Sequence, residues 1–295
     1  MAICTKDRLR LLQGAVKSVL SQMTEGEELL IIDNSSRDGT STWLEDLVRN
    51  DLRVRVIPAS RPGIPVARNL ALRHAKGNYL ISLDDDEIAA PDWLSSYRKF
   101  LGDSSPERLG CVGGPTIALH EIPCPKWLGA DFGTLDHQVP IGPLDHPIGP
   151  GAGNCAYVVS AALKVGGFSE NLDRHEDTDL NNRLRDAGYE VWWLPDARTQ
   201  HVIPPERTRF KSQLRFWYRE GQNAGLLRLQ QHPPGGKRFA FRVLRLLITP
   251  FQAGFQILAA LGCLSLGRLS ASARLTFRAC RTIGMSSRLW SDSTP

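Results

Sequence analysis

Apolar and polar positions in the first third of the chain alternate between two periods. Leu29-Leu30-Ile31-Ile32 is an unbroken apolar run, as in a strand covered on both faces. Val54, Val56 and Ile57 mark another strand, and Tyr79-Leu80-Ile81-Ser82-Leu83 a further one. A short strand opens the chain and gives way to the polar Thr5-Lys6-Asp7-Arg8. Between these runs, Leu9, Leu12, Val16, Val19 and Leu20 recur at helical spacing, and residues 42–48 and 66–75 predict two more helices. Such alternation implies right-handed crossovers and an α/β architecture with a Rossmann-like, mostly parallel central sheet.

The pattern breaks over residues 115–153, which are rich in Pro and Gly, carry Trp127, His137 and His146, and show no clear period. A connection this long inside a compact domain usually serves function. Regular structure is predicted again over residues 154–159, as a helix over 178–187, and as a strand over 190–194. From Phe210 the chain reads as amphipathic helix, broken at Pro233-Pro234-Gly235-Gly236. An uncharged run from Leu246 to Gly267 follows, then an Arg-bearing helix from Arg268 to Arg281.

Charge sharpens this division. Residues 1–220 carry a net of about −4, while the remainder carries about +9, with no Asp or Glu from Gly221 to Ser291. An apolar band flanked by basic residues suits an anionic membrane surface; a true span and plain helical packing are the alternatives. Neither aromatic-basic interleaving nor a groove-reading motif occurs, so nucleic acid is not an expected partner. The scattered cysteines, without metal-site spacing, fit reduced thiols, and the start turns polar before an apolar leader core forms. The expected location is cytoplasmic, peripheral at the inner face of the cell membrane.

Ligands on such sheets bind beyond the carboxyl ends of the strands. Thr5 and Asp7, then Asp33-Asn34, then Asp84-Asp85-Asp86 all fall there. Three adjacent aspartates repel one another unless a cation sits among them. Mg²⁺ or Mn²⁺, hard cations that favour oxygen ligands, would bridge such carboxylates to a diphosphate; a solvated acidic turn is the alternative.

The series Ile3 to Arg8, Ile31 to Thr40, Gly63 to Asn69, Leu83 to Asp86 and His175-Glu176-Asp177 resembles the inverting family 2 glycosyltransferases over about residues 2–210. That resemblance implies a GT-A fold and a nucleotide-sugar donor. It places Thr5, Asp7 and Asp33 around the nucleotide, with Arg68 and Asn69 closing the pocket. Asp84 would face the nucleoside and Asp86 the metal, with Asp85 in either role or neither. Asp177 is the expected general base, taking the proton of the acceptor hydroxyl, with Glu176 beside it; a purely helix-opening role is the alternative. His201 would complete the metal shell or serve a structural role. Gly151-Ala152-Gly153-Asn154 would floor the acceptor site. Trp127, Trp192 and Trp193 would either stack on a sugar or pack in the core.

The expected organisation is a glycosyltransferase domain over 1–210, divided into a donor half (1–114) and an acceptor half (115–210). A basic helical tail follows over 211–295. The acceptor would be a glycan or a lipid-linked one. A sugar nucleotidyltransferase would want a Gly-rich phosphate loop after the first strand, which Thr5 to Leu12 does not supply. An inactive carbohydrate-binding relative is the other alternative. The first loop departs from the family pattern, with Lys6-Asp7 where an aromatic and an amide are common, and this leaves the nucleotide open.

Overall fold

A computed structural model describes the chain except residues 104, 130, 146–148, 173, 231–235, 266–268 and 291–295. His146, the break at Pro233-Pro234-Gly235, and Gly267-Arg268 therefore lie outside the described residues. Two compact units are present: residues 1–119 with 133–202, and residues 120–132 with 203–295.

The first unit begins with the alternation that the sequence predicts: β1 (Ala2–Thr5), α1 (Leu9–Leu20), β2 (Leu29–Asp33), α2 (Thr40–Asn50), β3 (Val54–Pro58), α3 (Ile64–His74) and β4 (Tyr79–Asp84). Beyond it come β5 (Glu87–Ala89), α4 (Trp93–Asp103), β6 (Leu109–Gly113), β7 (Thr116–His120) and β8 (Gly142–Pro143). β9 (Asn154–Val158), α5 (Val159–Lys164), α6 (Glu176–Asp186), β10 (Glu190–Trp193) and β11 (Thr199–Ile203) complete the series.

Among the described residues, eight strands form one sheet in the order β3-β2-β1-β4-β9-β6-β10-β8, and β5, β11 and β7 form a second. The neighbours among β1 to β4 pair in parallel, β9 runs antiparallel between β4 and β6, and β10 returns parallel to β6. All five residues of β2 are buried, as its apolar run requires. One core layer packs Leu12, Val16 and Val19 of α1 with Trp93, Tyr97 and Phe100 of α4 against Ile3 and Ile31. The opposite layer packs Ala67, Ala71 and Leu72 of α3 and Leu180 and Leu184 of α6 against Leu30, Ile32 and Tyr157.

Register fixes what the strand ends present. Thr5 pairs with Asp33, and Cys4 with Asp84, so the carboxyl ends of β1, β2 and β4 lie abreast. Because β9 is antiparallel, its start joins the same edge: the Asp84 N–H donates to the Gly153 carbonyl at 3.0 Å. Gly114 is required by close approach at the end of β6, since a Cβ there would lie 2.0 Å from the Ala197 carbonyl oxygen.

The second unit holds α7 (Phe210–Gln230), α8 (Gly236–Ser265) and α9 (Leu269–Trp290). The backbones of α7 and α9 approach closely, as a Cβ at Gly221 or Gly284 would overlap carbonyl oxygens of the facing helix. Trp127 packs edge-on against Phe210 and near Phe277, with centroids 5.4 and 5.8 Å away. Ile248–Ser265 is long and apolar enough, by length and composition, to cross a membrane, and Phe255, Leu258, Leu261 and Leu264 on it are exposed.

Candidate functional site

The aspartate triplet closes β4, where the strand end holds its members in different environments. Asp84 is 37% exposed at its side chain, whereas Asp85 and Asp86 are nearly buried. The Thr5 hydroxyl donates to Asp85 Oδ2 at 2.8 Å. Arg8, in the loop between β1 and α1, donates through a single nitrogen, Nη1, to Asp85 Oδ1 at 2.9 Å and to Asp86 Oδ2 at 3.0 Å. Burial pushes the Asp85 carboxyl up to about 6, Arg8 pulling against it and Asp86 with it.

Arg68 links this edge to α6. Its Nη2 donates to Asp84 Oδ1 at 2.8 Å and its Nη1 to Glu176 Oε1. Burial opposes the Arg68 charge, yet Asp84 and Glu176 outweigh it and hold the guanidinium firmly protonated. Glu176 gains less from the same pair: its burial pushes the carboxyl up to about 7 despite the Arg68 charge. The α6 start itself is set by His175 in a left-handed conformation, with Glu176, Asp177 and Asp179 in the first turn, where the helix dipole favours carboxylates. Asp177 Oδ2 accepts the Ala152 N–H at 3.3 Å, so this carboxylate sits over the Gly151–Gly153 segment. Asp179 turns to Arg183 and Ser169 instead.

Asp33 accepts the Ser36 N–H and the Ser41 hydroxyl, with Asn34 bonded to the Gly63 N–H that precedes α3. Asp7, at positive φ, accepts the Arg37 N–H at 2.6 Å and ties the two loops together. A cleft of about 280 Å³ opens among Thr5, Arg8, Asn34, Arg68, Asp84 and Asp85. A larger cavity, about 650 Å³, lies along Met1, Glu28, Arg53 and Tyr79, away from this carboxylate cluster.

His201 on β11 reaches the triplet. Its Nδ1 lies 3.1 Å from the Gly133 carbonyl, which can only accept, so Nδ1 carries the proton. Nε2 then lies on the side of Asp86 Oδ2, 3.5 Å away. A carboxylate beside an oriented imidazole is a donor set that suits Mn²⁺. Among the described residues no three His, Cys, Asp or Glu side chains form a ready-made cage.

Two of the sequence-predicted residues stand apart from the carboxylates. Asn154 is fully buried: its Oδ1 accepts from Trp93 Nε1 and the Tyr97 hydroxyl, and its Nδ2 donates to the Pro115 and Ala197 carbonyls. Asn69 bonds both backbone groups of Phe168 and Glu170 Oε1. Both act as pins of the frame. Trp193 is buried in the core and Trp192 packs on Phe100, while Trp127 belongs to the second unit's aromatic cluster.

Arg8 and Glu87 enter the site unforeseen. Glu87 is buried, bonded to Thr199 and Thr116, and its Oε1 faces Asp84 across Gly153, so burial first and then Asp84 push it up to about 8. Only Arg8 had a sequence signal, a lone cation beside acidic strand ends; for Glu87 the contact with Gly153 depends on how β9 is inserted.

Residues 1–106 match the model of glycosyl transferase family 2. The uncharacterized protein y4gI of Sinorhizobium fredii is 29% identical, over 74% of this chain and 27% of its own length. The succinoglycan biosynthesis protein ExoM of Rhizobium meliloti is 24% identical over 89% of this chain and 84% of its own. The fold resembles the mannosyltransferase PcManGT from Pyrobaculum calidifontis, solved with GDP-Man and Mn²⁺. The TM-score is 0.67 at 17% identity, covering 99% of this chain and 87% of that one. Over residues 1–106 the chain is thus similar to glycosyl transferase family 2, it spans about a quarter of the length of the first of these relatives, and it is built on the GT-A fold.

Proposed function

We propose that the protein moves a sugar from a nucleotide-diphosphate donor to a glycan or lipid-linked acceptor, by an inverting single displacement, in polysaccharide biosynthesis. The observation that carries this reading is the Arg68 bridge. It holds Asp84 at the end of β4 and Glu176 at the start of α6 as neighbours, so donor-side and acceptor-side carboxylates share one strand edge.

In this reading the donor lies in the cleft beside Thr5, Asp33 and Asp84. Arg68 and Asp85 line that pocket, Asp7 ties its loops and Asn69 pins the frame behind it, while Asn154 and Glu176 hold the Gly151–Gly153 floor and Asp177 in place. Asp86 and His201 would hold Mg²⁺ or Mn²⁺; PcManGT was solved with Mn²⁺ and GDP-Man, which favours the same class of ligand here. Bound there, the cation would supply positive charge against the negative charge developing on the departing diphosphate. Asp177 takes the acceptor hydroxyl proton as that oxygen bonds to the anomeric carbon. The anomeric carbon–oxygen bond to the diphosphate breaks, its electron pair leaving with the nucleotide. Residues 1–114 serve the donor and 115–210 the acceptor. The basic tail over 211–295 rests on anionic lipid at the inner face of the membrane, which would bring a lipid-linked acceptor within reach.

Nucleotide release from UDP-, GDP- and dTDP-sugars, with and without Mn²⁺ or Mg²⁺, tests this reading. Asp86→Ala and Asp177→Asn should each lower transfer by about 100-fold or more. Full activity in both variants would sink it.

A further inference from the structure

We propose that Arg8 is a resident counter-cation for the Asp85–Asp86 pair, displaced when a divalent metal arrives together with a nucleotide diphosphate, so that metal and nucleotide enter as a unit. This rests on the metal-assisted reading of the same site.

Arg8 Nη1 stands 2.9 Å from Asp85 Oδ1 and 3.0 Å from Asp86 Oδ2. The second of these oxygens is also the one that faces His201 Nε2 at 3.5 Å. One carboxylate oxygen thus serves both the guanidinium and the place where the metal fits. A dication and a guanidinium on that oxygen repel each other, so the two occupants exclude one another. Both aspartates are nearly buried, and neither can turn to water to accommodate a second cation. Arg8 can move, being 46% exposed at its side chain on the loop before α1.

Charge explains why the nucleotide is needed. Arg8 with the two carboxylates carries a net of about −1. A dication alone would turn this to about +1 and leave the displaced Arg8 guanidinium without a counter-anion. A dication arriving with the two charges of a donor diphosphate leaves the balance unchanged. The released guanidinium then faces the cleft that it lines with Thr5 and Arg68. Its planar fork suits phosphate oxygens there, replacing the carboxylate partners that it gives up.

The test is titration of Mn²⁺ into the full-length protein, followed by the electron paramagnetic resonance signal of free Mn²⁺, alone and with UDP or GDP present. In the wild type, Mn²⁺ alone should bind at least about tenfold more weakly than with the better nucleotide. Arg8→Gln should tighten binding of Mn²⁺ alone by about tenfold and shrink the nucleotide's effect by a similar factor, whereas Arg8→Lys should stay near wild type. Equal wild-type affinities with and without nucleotide overturn the proposal, even if Arg8→Gln fails to fold. So does Arg8→Gln binding Mn²⁺ alone within about twofold of wild type, or more weakly. No Mn²⁺ binding to the wild type under either condition overturns the metal-assisted reading itself, and the exchange with it.

Discussion

Replacing Arg68 with methionine keeps most of the side-chain volume and removes the charge between Asp84 and Glu176. In the wild type, burial lifts Glu176 from 4.5 to about 7, roughly 3 kcal/mol of folding stability. Because the folded value lies above the unfolded one, that stability is present below about pH 4.5 and lost as pH rises through about 7. Without Arg68 the carboxyl rises further, so the variant keeps losing stability above pH 7, where the wild type has levelled off. Near pH 6 Glu176 is largely protonated in both proteins, and the difference reduces to a half-exposed Asp84 pair and altered packing, about 1–2 kcal/mol. Near pH 8.5 it should reach about 3–5 kcal/mol, the cost of leaving a buried carboxylate without its partner. Urea unfolding of both proteins at pH 6, 7 and 8.5 measures this. A difference that stays constant across the range, or a wild type that does not weaken between pH 5 and 7, would refute the reasoning.

Other expectations are more local. Gly153→Ala places a Cβ 2.7 Å from Asp84 Oδ2 and 2.6 Å from Glu87 Oε1; both side chains must shift, and kcat/KM should fall by about tenfold or more with the fold retained by circular dichroism. Asn154→Ala strips Trp93, Tyr97 and two carbonyls of their partner in the core and should cost about 3–5 kcal/mol in denaturant unfolding. Vesicles containing anionic lipid should pull the full-length protein down on centrifugation, whereas neutral vesicles should not; binding indifferent to lipid charge would contradict the role given to the basic tail.

The fold of residues 1–84 is legible in the sequence because its strands are covered on both faces. Leu29-Leu30-Ile31-Ile32 has no reading but a buried strand, and each such strand ends in the polar residue that its register brings to the common edge. Beyond Asp84 the signals weaken for physical reasons. α4 carries Trp93, Leu94, Tyr97, Phe100 and Leu101 at helical spacing, a signal that the pattern reading passes over. β6, Leu-Gly-Cys-Val-Gly, hides because its glycines serve close packing against Tyr189 and Pro150 instead of strand propensity. β7 lies inside the stretch that shows no period. Strand direction is not written in side-chain pattern, so the antiparallel insertion of β9 is invisible, and with it the pairing of Glu87 and Asp84 across Gly153. Arg8 is visible as a residue but not as a partner, since its bridge spans 77 positions to Asp85. Asn154 looks like a sugar-facing amide until Trp93 and Tyr97, on the unforeseen helix, claim it.

The central claim, single displacement with Asp177 as base, is tested most directly by proton NMR of the product made from an α-linked nucleotide sugar. The account predicts a β-linked product as the first one detectable, with its formation abolished in Asp177→Asn. An α-linked first product would contradict it.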